Sequence, residues 1–286
     1  VGAESILKEY EKRGLPSTFC PVPFTTLICE PGGKVGVCRL LGSDFNVGDL
    51  NQNSLEEIWN NEKMQSWRRE FLTGEIKTCE SMMKHRGCNL CSENTKLLPQ
   101  VEFSEVQSRK LIKFTANFNG QCNLQCIMCP VWKYPNGYYD TINFWEKAET
   151  EIFPYIIEMD LLSGEPMVQK DTYKLINMVS EINSECLWTL TTNAHYDLSD
   201  TIKVHLDKIK IKNLIISIDS FDHDTFHKIR YPGKLDQVLK TVDTYNEYNQ
   251  SRITRGLGDM GMTLNFLIQR ENWQEIGVAL DYMAEK

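Results

Sequence analysis

The 286-residue sequence contains no apolar run approaching the roughly 20 residues that span a bilayer. Its N-terminal stretch, VGAESILKEYEKRG, is charged and has no apolar signal core. Neither a membrane location nor secretion is expected, and the expected compartment is the cytoplasm. Positive charge is also scarce: 31 Lys and Arg stand against 39 Asp and Glu, a net charge of −8. Such a chain has no general attraction for phosphate backbones, so a nucleic-acid partner is not expected. The best basic run, Lys203, Lys208, Lys210 and Lys212, reads as a solvated helix–strand connection. There is no sequence repeat and no low-complexity segment.

Cysteine, by contrast, is abundant. There are 10, and nine of them precede residue 130. Without a secretory signal, clustered cysteines point to metal or redox chemistry before disulfides. The length suits one large α/β domain with a smaller module. A polar stretch at 92–108, with Pro99, marks the boundary, giving expected units of 1–95 and 96–286.

In the first unit, 24–29 and 34–39 read as two strands around Pro31-Gly32-Gly33, a hairpin signal. One helix is expected from Ser54, where Ser54 and Glu57 fit a capping box, to a stop at Gly74. Leu55, Ile58, Trp59, Trp67 and Phe71 would be its apolar face. So small a module has little core, and a metal would staple it.

In the second unit, strands expected at 111–118, 155–162, 187–192, 213–219 and 260–268 alternate with helices at about 140–152, 169–183, 198–208, 222–230, 234–248 and 272–285. Near-continuous apolar strands with crossover helices imply a parallel sheet, curved into a barrel or part of one. Five strands are visible.

Cys122, Cys126 and Cys129 form a CxxxCxxC loop directly after the first of these strands. Soft thiolates at this spacing can face one point and bind an iron cluster. Three thiolates leave one iron of a four-iron cubane open to a small molecule, by the logic of an open catalytic metal position. Zinc would need a fourth ligand, and no His or Cys follows until Cys186.

The loop resembles that of the radical S-adenosylmethionine (SAM) superfamily, and the resemblance covers roughly 108–286. It implies a partial (β/α)6 TIM-like barrel with a [4Fe–4S] cluster that binds SAM. One electron from the cluster would cleave SAM to methionine and a 5′-deoxyadenosyl radical, which takes a hydrogen atom from substrate. Ser163-Gly164-Glu165-Pro166 resembles the family's GGE motif, with serine for the first glycine, so Gly164 and Glu165 would meet the methionine amino group. Met128 matches a bulky position beside the adenine. Asn193, Ser217 and Asp219 lie at later strand ends, the last two in the ribose-binding zone, and Asn265 is a further candidate. Arg230 resembles the arginine that pairs with the SAM carboxylate. A reducing partner such as flavodoxin or ferredoxin is implied.

Cys20, Cys38, Cys88 and Cys91 form a second constellation. CxxC is a chelating spacing, and four thiolates would close a site. Cys79 is a possible substitute ligand, and Cys29 packs in the hairpin. Residues 18–93 resemble a twitch or SPASM module, here placed before the barrel, which implies one auxiliary [4Fe–4S] cluster. Structural zinc is the alternative. His223 and His227 have i, i+4 spacing, but capping and solvation explain them better. The aromatic-rich loop after the cluster, with a turn at Pro135-Asn136-Gly137, would shield the cluster or touch substrate. Cys186 reads as a buried thiol. The expected activity is radical modification of a peptide or protein. A dehydrogenase or epimerase of a small, sugar-like alcohol is the runner-up, followed by a zinc module on an inactive barrel.

Overall fold

In the computed structural model, which describes residues 2–41, 45–86, 88–91, 95–134 and 136–285, the five expected barrel strands lie side by side in parallel. They are β4 (Lys113–Ala116), β5 (Glu158–Leu161), β6 (Leu187–Thr192), β7 (Lys210–Ser217) and β8 (Thr263–Asn265). The N-terminal strands β1 (Thr26–Cys29), β2 (Lys34–Gly36) and β3 (Gly48–Asp49) continue the same sheet, in the order β3-β2-β1-β4-β5-β6-β7-β8.

The register corrects the expectation of five parallel strands. β1 pairs in parallel with β4, Thr26 opposite Lys113 and Cys29 opposite Ala116, so the N-terminal part supplies a sixth. β2 then folds back antiparallel on β1, as the hairpin signal predicts. The first strand of the hairpin starts later than expected, because Val22–Thr25 forms a helical turn, α2, after α1 (Ala3–Lys12). One apolar cluster includes Ile6, Phe19 and Trp67 from the N-terminal part and Trp188, Leu214 and Tyr245 from the barrel.

The helix expected from Ser54 to Gly74 is two helices, α3 (Leu55–Trp59) and α4 (Glu62–Thr73). Ser54 and Glu57 form the capping box, and Gly74 ends α4 at φ +81°. Two asparagines cause the break. Asn61 caps α4 by accepting from the Met64 amide at 2.9 Å, while Asn60 Oδ1 accepts from the Gln107 amide and from Arg68. Arg68, 0% exposed, also donates to the carbonyls of Pro23, Trp59 and Glu105. It thereby ties α4 to the chain before and after it. α5 (Glu80–Arg86) precedes the CxxC segment.

Around the barrel run α6 (Phe144–Glu151), α7 (Lys170–Ile182), α8 (Asp200–Leu206), α9 (His223–Ile229), α10 (Leu235–Thr254) and α11 (Ile276–Glu285). α10 outruns its expected end at 248, since buried Arg252 near its terminus donates to the carbonyls of Leu206 and Ile209. β8 is shorter than expected because the Leu267 amide turns aside to Asp219 Oδ1, at 2.9 Å. The basic run is not one patch: Lys203, Lys208, Lys210 and Lys212 meet Asp200, Asn177, Glu185 and Glu158 respectively. Of the expected turn at 135–137, Pro135 lies outside the described residues, and Gly137 has φ +68°. Residues 92–94 of the expected boundary also lie outside them. Among the described residues no helix is long and apolar enough to cross a membrane.

Candidate cluster and cofactor site

Cys122, Cys126 and Cys129 line one cavity of about 160 Å³ at the C-terminal ends of the parallel strands. Backbone contacts, one local and one long-range, shape their loop. The Ile127 amide donates to the Ile229 carbonyl, and the Cys129 amide to the Cys126 carbonyl. A side chain at Gly120 would collide with the Val131 carbonyl, and one at Gly164 with the Gln121 carbonyl. Gly164 also needs φ +61°, so both chemistry and space require glycine there. The Glu165 amide and Gln169 Nε2 both donate to the Gln121 carbonyl, fixing the residue before Cys122.

The thiols sit together. Burial pushes Cys122 up to about 11, and the nearby Glu165, Cys126 and Cys129 push in the same direction against the Leu124 amide. Burial also raises Cys126, opposed by the Arg230 guanidinium, whose Nη1 lies 4.0 Å from its sulfur. Thiols held protonated by burial and by one another are groups that a bound metal centre deprotonates and relieves. This donor set fits an iron–sulfur cluster with one open position.

Of the other expected residues, Met128, Gly164, Asn193, Ser217 and Arg230 line the same cavity. Asn193 Nδ2 reaches toward Cys122 Sγ at 3.7 Å and donates to Asn123 at 2.9 Å. Two of the expected residues do not line the cavity. Glu165 is 0% exposed and does not line the cavity. Its carboxylate accepts from the Asn193 amide (2.7 Å), the Met167 amide (3.1 Å) and Thr192 Oγ1 (2.9 Å), so it braces the strand end from behind. Burial nevertheless raises it to about 7. Asp219, also 0% exposed, does not line the cavity. Its Oδ2 accepts from Arg230 Nε at 2.8 Å and Nη2 at 2.7 Å, and its Oδ1 from Leu267. The paired fork fixes Arg230 and leaves Nη1 toward the cavity.

Sequence reasoning missed Leu162, Thr191 and Asn272. Leu162 and Thr191 line the cavity, and strand periodicity held the signal for both. Asn272, 0% exposed, donates to the Asp219 carbonyl at 2.6 Å, a long-range contact without a local signal. Val131 and Trp132 put the aromatic-rich loop on the cavity wall. Asn265 pairs with Ser217 in the sheet and is not a lining residue. Asp222 caps α9, and the ring nitrogen of His227 meets the Gly233 carbonyl, in keeping with the structural reading of that helix. Cys29 and Cys186 are buried.

In the N-terminal part, the thiols of Cys38, Cys79 and Cys88 all act on Cys20, whose pKa burial raises most. Burial and the same neighbours Cys38 and Cys88 push Cys79 up to about 12. Cys79, a substitute ligand by sequence, is therefore in the thiol group itself. Cys91 is exposed and shares a cavity wall with Cys38 and Cys88. Between the two members of the CxxC pair, Asn89 holds the chain: it donates to the Ser17 carbonyl and accepts from Tyr10 through its own carbonyl, each at 2.8 Å. Among the described residues no group of three or more His, Cys, Asp or Glu is arranged to hold a metal ion.

Residues 116–283, more than half of the chain, match the family model described as Radical SAM superfamily, and residues 20–92 match SPASM, an iron–sulfur cluster-binding domain. GTP 3′,8-cyclase of Clostridium botulinum is 33% identical over 144 residues, 47% of this chain and 43% of that protein. The Campylobacter jejuni protein of the same name is 29% identical over 141 residues, with the same coverage of 47% and 43%. The chain thus spans less than half the length of these curated relatives. Among solved structures, Streptococcus suis SuiB is 18% identical, with a TM-score of 0.46 covering 81% of this chain and 51% of that one.

Proposed function

The chain belongs to the radical SAM superfamily, and from that premise we propose that it abstracts a hydrogen atom from a peptide or protein substrate, with an auxiliary cluster that accepts an electron or anchors the substrate. When bound, a SAM-binding [4Fe–4S] cluster supplies the electron that cleaves SAM to its 5′-deoxyadenosyl radical. In this reading Cys122, Cys126 and Cys129 hold that cluster. Arg230, oriented by Asp219, meets the SAM carboxylate, and Met128, Gly164, Asn193 and Ser217 enclose the rest. Cys20, Cys38, Cys88 and Cys91, with Cys79 as the competing fourth ligand, hold the auxiliary cluster. A flavodoxin- or ferredoxin-type protein supplies electrons.

The observation that carries the proposal is the single cavity shared by the three loop thiols and the Arg230 fork. The substrate class rests on the resemblance of 18–93 to twitch and SPASM modules, whose enzymes act on ribosomal peptides and on sugar-like alcohols. A small-molecule substrate is the second reading, favoured by the likeness to GTP 3′,8-cyclases over 47% of this chain.

Anaerobic purification tests the core of the proposal. A brown protein with about eight irons is expected, and Cys126→Ala should abolish 5′-deoxyadenosine formation while keeping about half of the iron. Cleavage retained in that variant would overturn the assignment of the loop. Turnover of nucleotides or sugar alcohols, with no peptide converted, would replace the first substrate class by the second.

A further inference from the structure

We propose that the Arg39–Asp160 ion pair sets the reduction potential of the auxiliary cluster, an inference that rests on the reading of Cys38 as one of its ligands. Arg39 follows Cys38 in the chain, and both line a cavity of about 300 Å³ together with Lys113 and Asp160. Arg39 Nη2 crosses to Asp160 Oδ2 on β5 at 2.9 Å. Lys113 Nζ approaches the same oxygen at 3.4 Å and Glu158 at 3.2 Å, and Lys212 meets Glu158 at 2.6 Å. Charges therefore alternate from Arg39 across β5 to β7. The side chains of Asp160 and Glu158 are each only 8% exposed.

Burying a chain of charges costs desolvation, and an apolar packing of the same volume is often as stable. A cluster held by four thiolates is net anionic, and its potential follows the fixed charge around it. A nearby cation stabilises the reduced form and raises the potential; a nearby anion lowers it. Arg39, its side chain 43% exposed, is the cation one residue from a ligand, and the buried Asp160 offsets it.

The test is a redox titration of the anaerobically reconstituted full-length protein, followed by electron paramagnetic resonance. Added SAM identifies the signal of the SAM-binding cluster. Asp160→Asn should move the auxiliary midpoint to a more positive potential, and Arg39→Gln to a more negative one. Arg39→Lys, which keeps the charge, should stay near the wild-type value, and the SAM-binding cluster should not move in any of the three. An unchanged auxiliary midpoint in both charge-removing variants would overturn the proposal, as would an Arg39→Lys shift equal to that of Arg39→Gln. Should Asp160→Asn fail to assemble the cluster, the two Arg39 variants decide alone. A wild-type protein with only one cluster would instead refute the auxiliary-cluster reading itself.

Discussion

The thiols of the barrel site come from one eight-residue loop, whereas those of the N-terminal site come from five positions between Cys20 and Cys91. The first set converges within one loop at a strand end, which contacts from Ile229, Glu165 and Gln169 hold in place. The second needs β2 to fold back on β1 and α5 to deliver the CxxC segment, so its loop-closure entropy is paid by long-range packing. Exposure differs in the same sense. Each barrel thiol is partly exposed on a cavity, while Cys20 and Cys79 are buried. An open set suits a centre that must bind a small molecule; the second set is mixed, with Cys38 and Cys88 half-buried and Cys91 exposed.

Removing one N-terminal ligand is the strongest way to break this comparison. Cys20→Ala should lose about half of the iron yet still form 5′-deoxyadenosine, measured by iron analysis and product chromatography. Loss of both properties would show that the two sites are not separable. Next in size is Asp219→Asn. It leaves Arg230 charged and buried without its partner, at a cost of about 3–5 kcal/mol. Thermal unfolding should show the deficit, and SAM should restore part of it if Arg230 meets the SAM carboxylate.

Gly164→Ala sharpens the local half of the contrast. The added Cβ meets the Gln121 carbonyl at a positive φ, so more than about 1 kcal/mol should be lost. Iron should leave the barrel loop while the N-terminal site keeps its own. A final effect concerns pH. Glu165 is raised from 4.5 to about 7 by burial, so in the folded state it binds a proton that the unfolded chain has released. Stability of the metal-free protein should therefore fall as pH rises from about 4.5 through about 7, by at most about 1.4 kcal/mol per pH unit from this group. Glu165→Gln should flatten that slope, although it leaves the Asn193 amide poorly matched. An unaltered slope in the variant would show that Glu165 does not titrate in this window.

Legibility followed the range of the interactions. The ends of β6 and the capping box at Ser54 were readable because side-chain alternation and local hydrogen bonds define them. The break at Asn60 and Asn61 was not, since its cause lies in Gln107, Arg68 and Val47. Met128 and Arg230 were legible as cavity residues from their motif positions. Glu165 and Asp219 were legible as important, but not as inward-facing braces, because a carboxylate's direction depends on donors from other parts of the chain. Cys79 carried no spacing signal, and only the packing of α5 brought it to the other thiols.

By itself, the sequence determined the CxxxCxxC loop, the alternation of strands and helices, and thus the family and its cluster chemistry, since each is encoded by spacing within a few residues. The tertiary structure alone decided that β1 completes the parallel sheet, that Asp219 aims Arg230, and that Arg39 reaches Asp160. These contacts join residues 11 to 121 positions apart. Distances of that kind are closed by burial of the shared core, which no local pattern records.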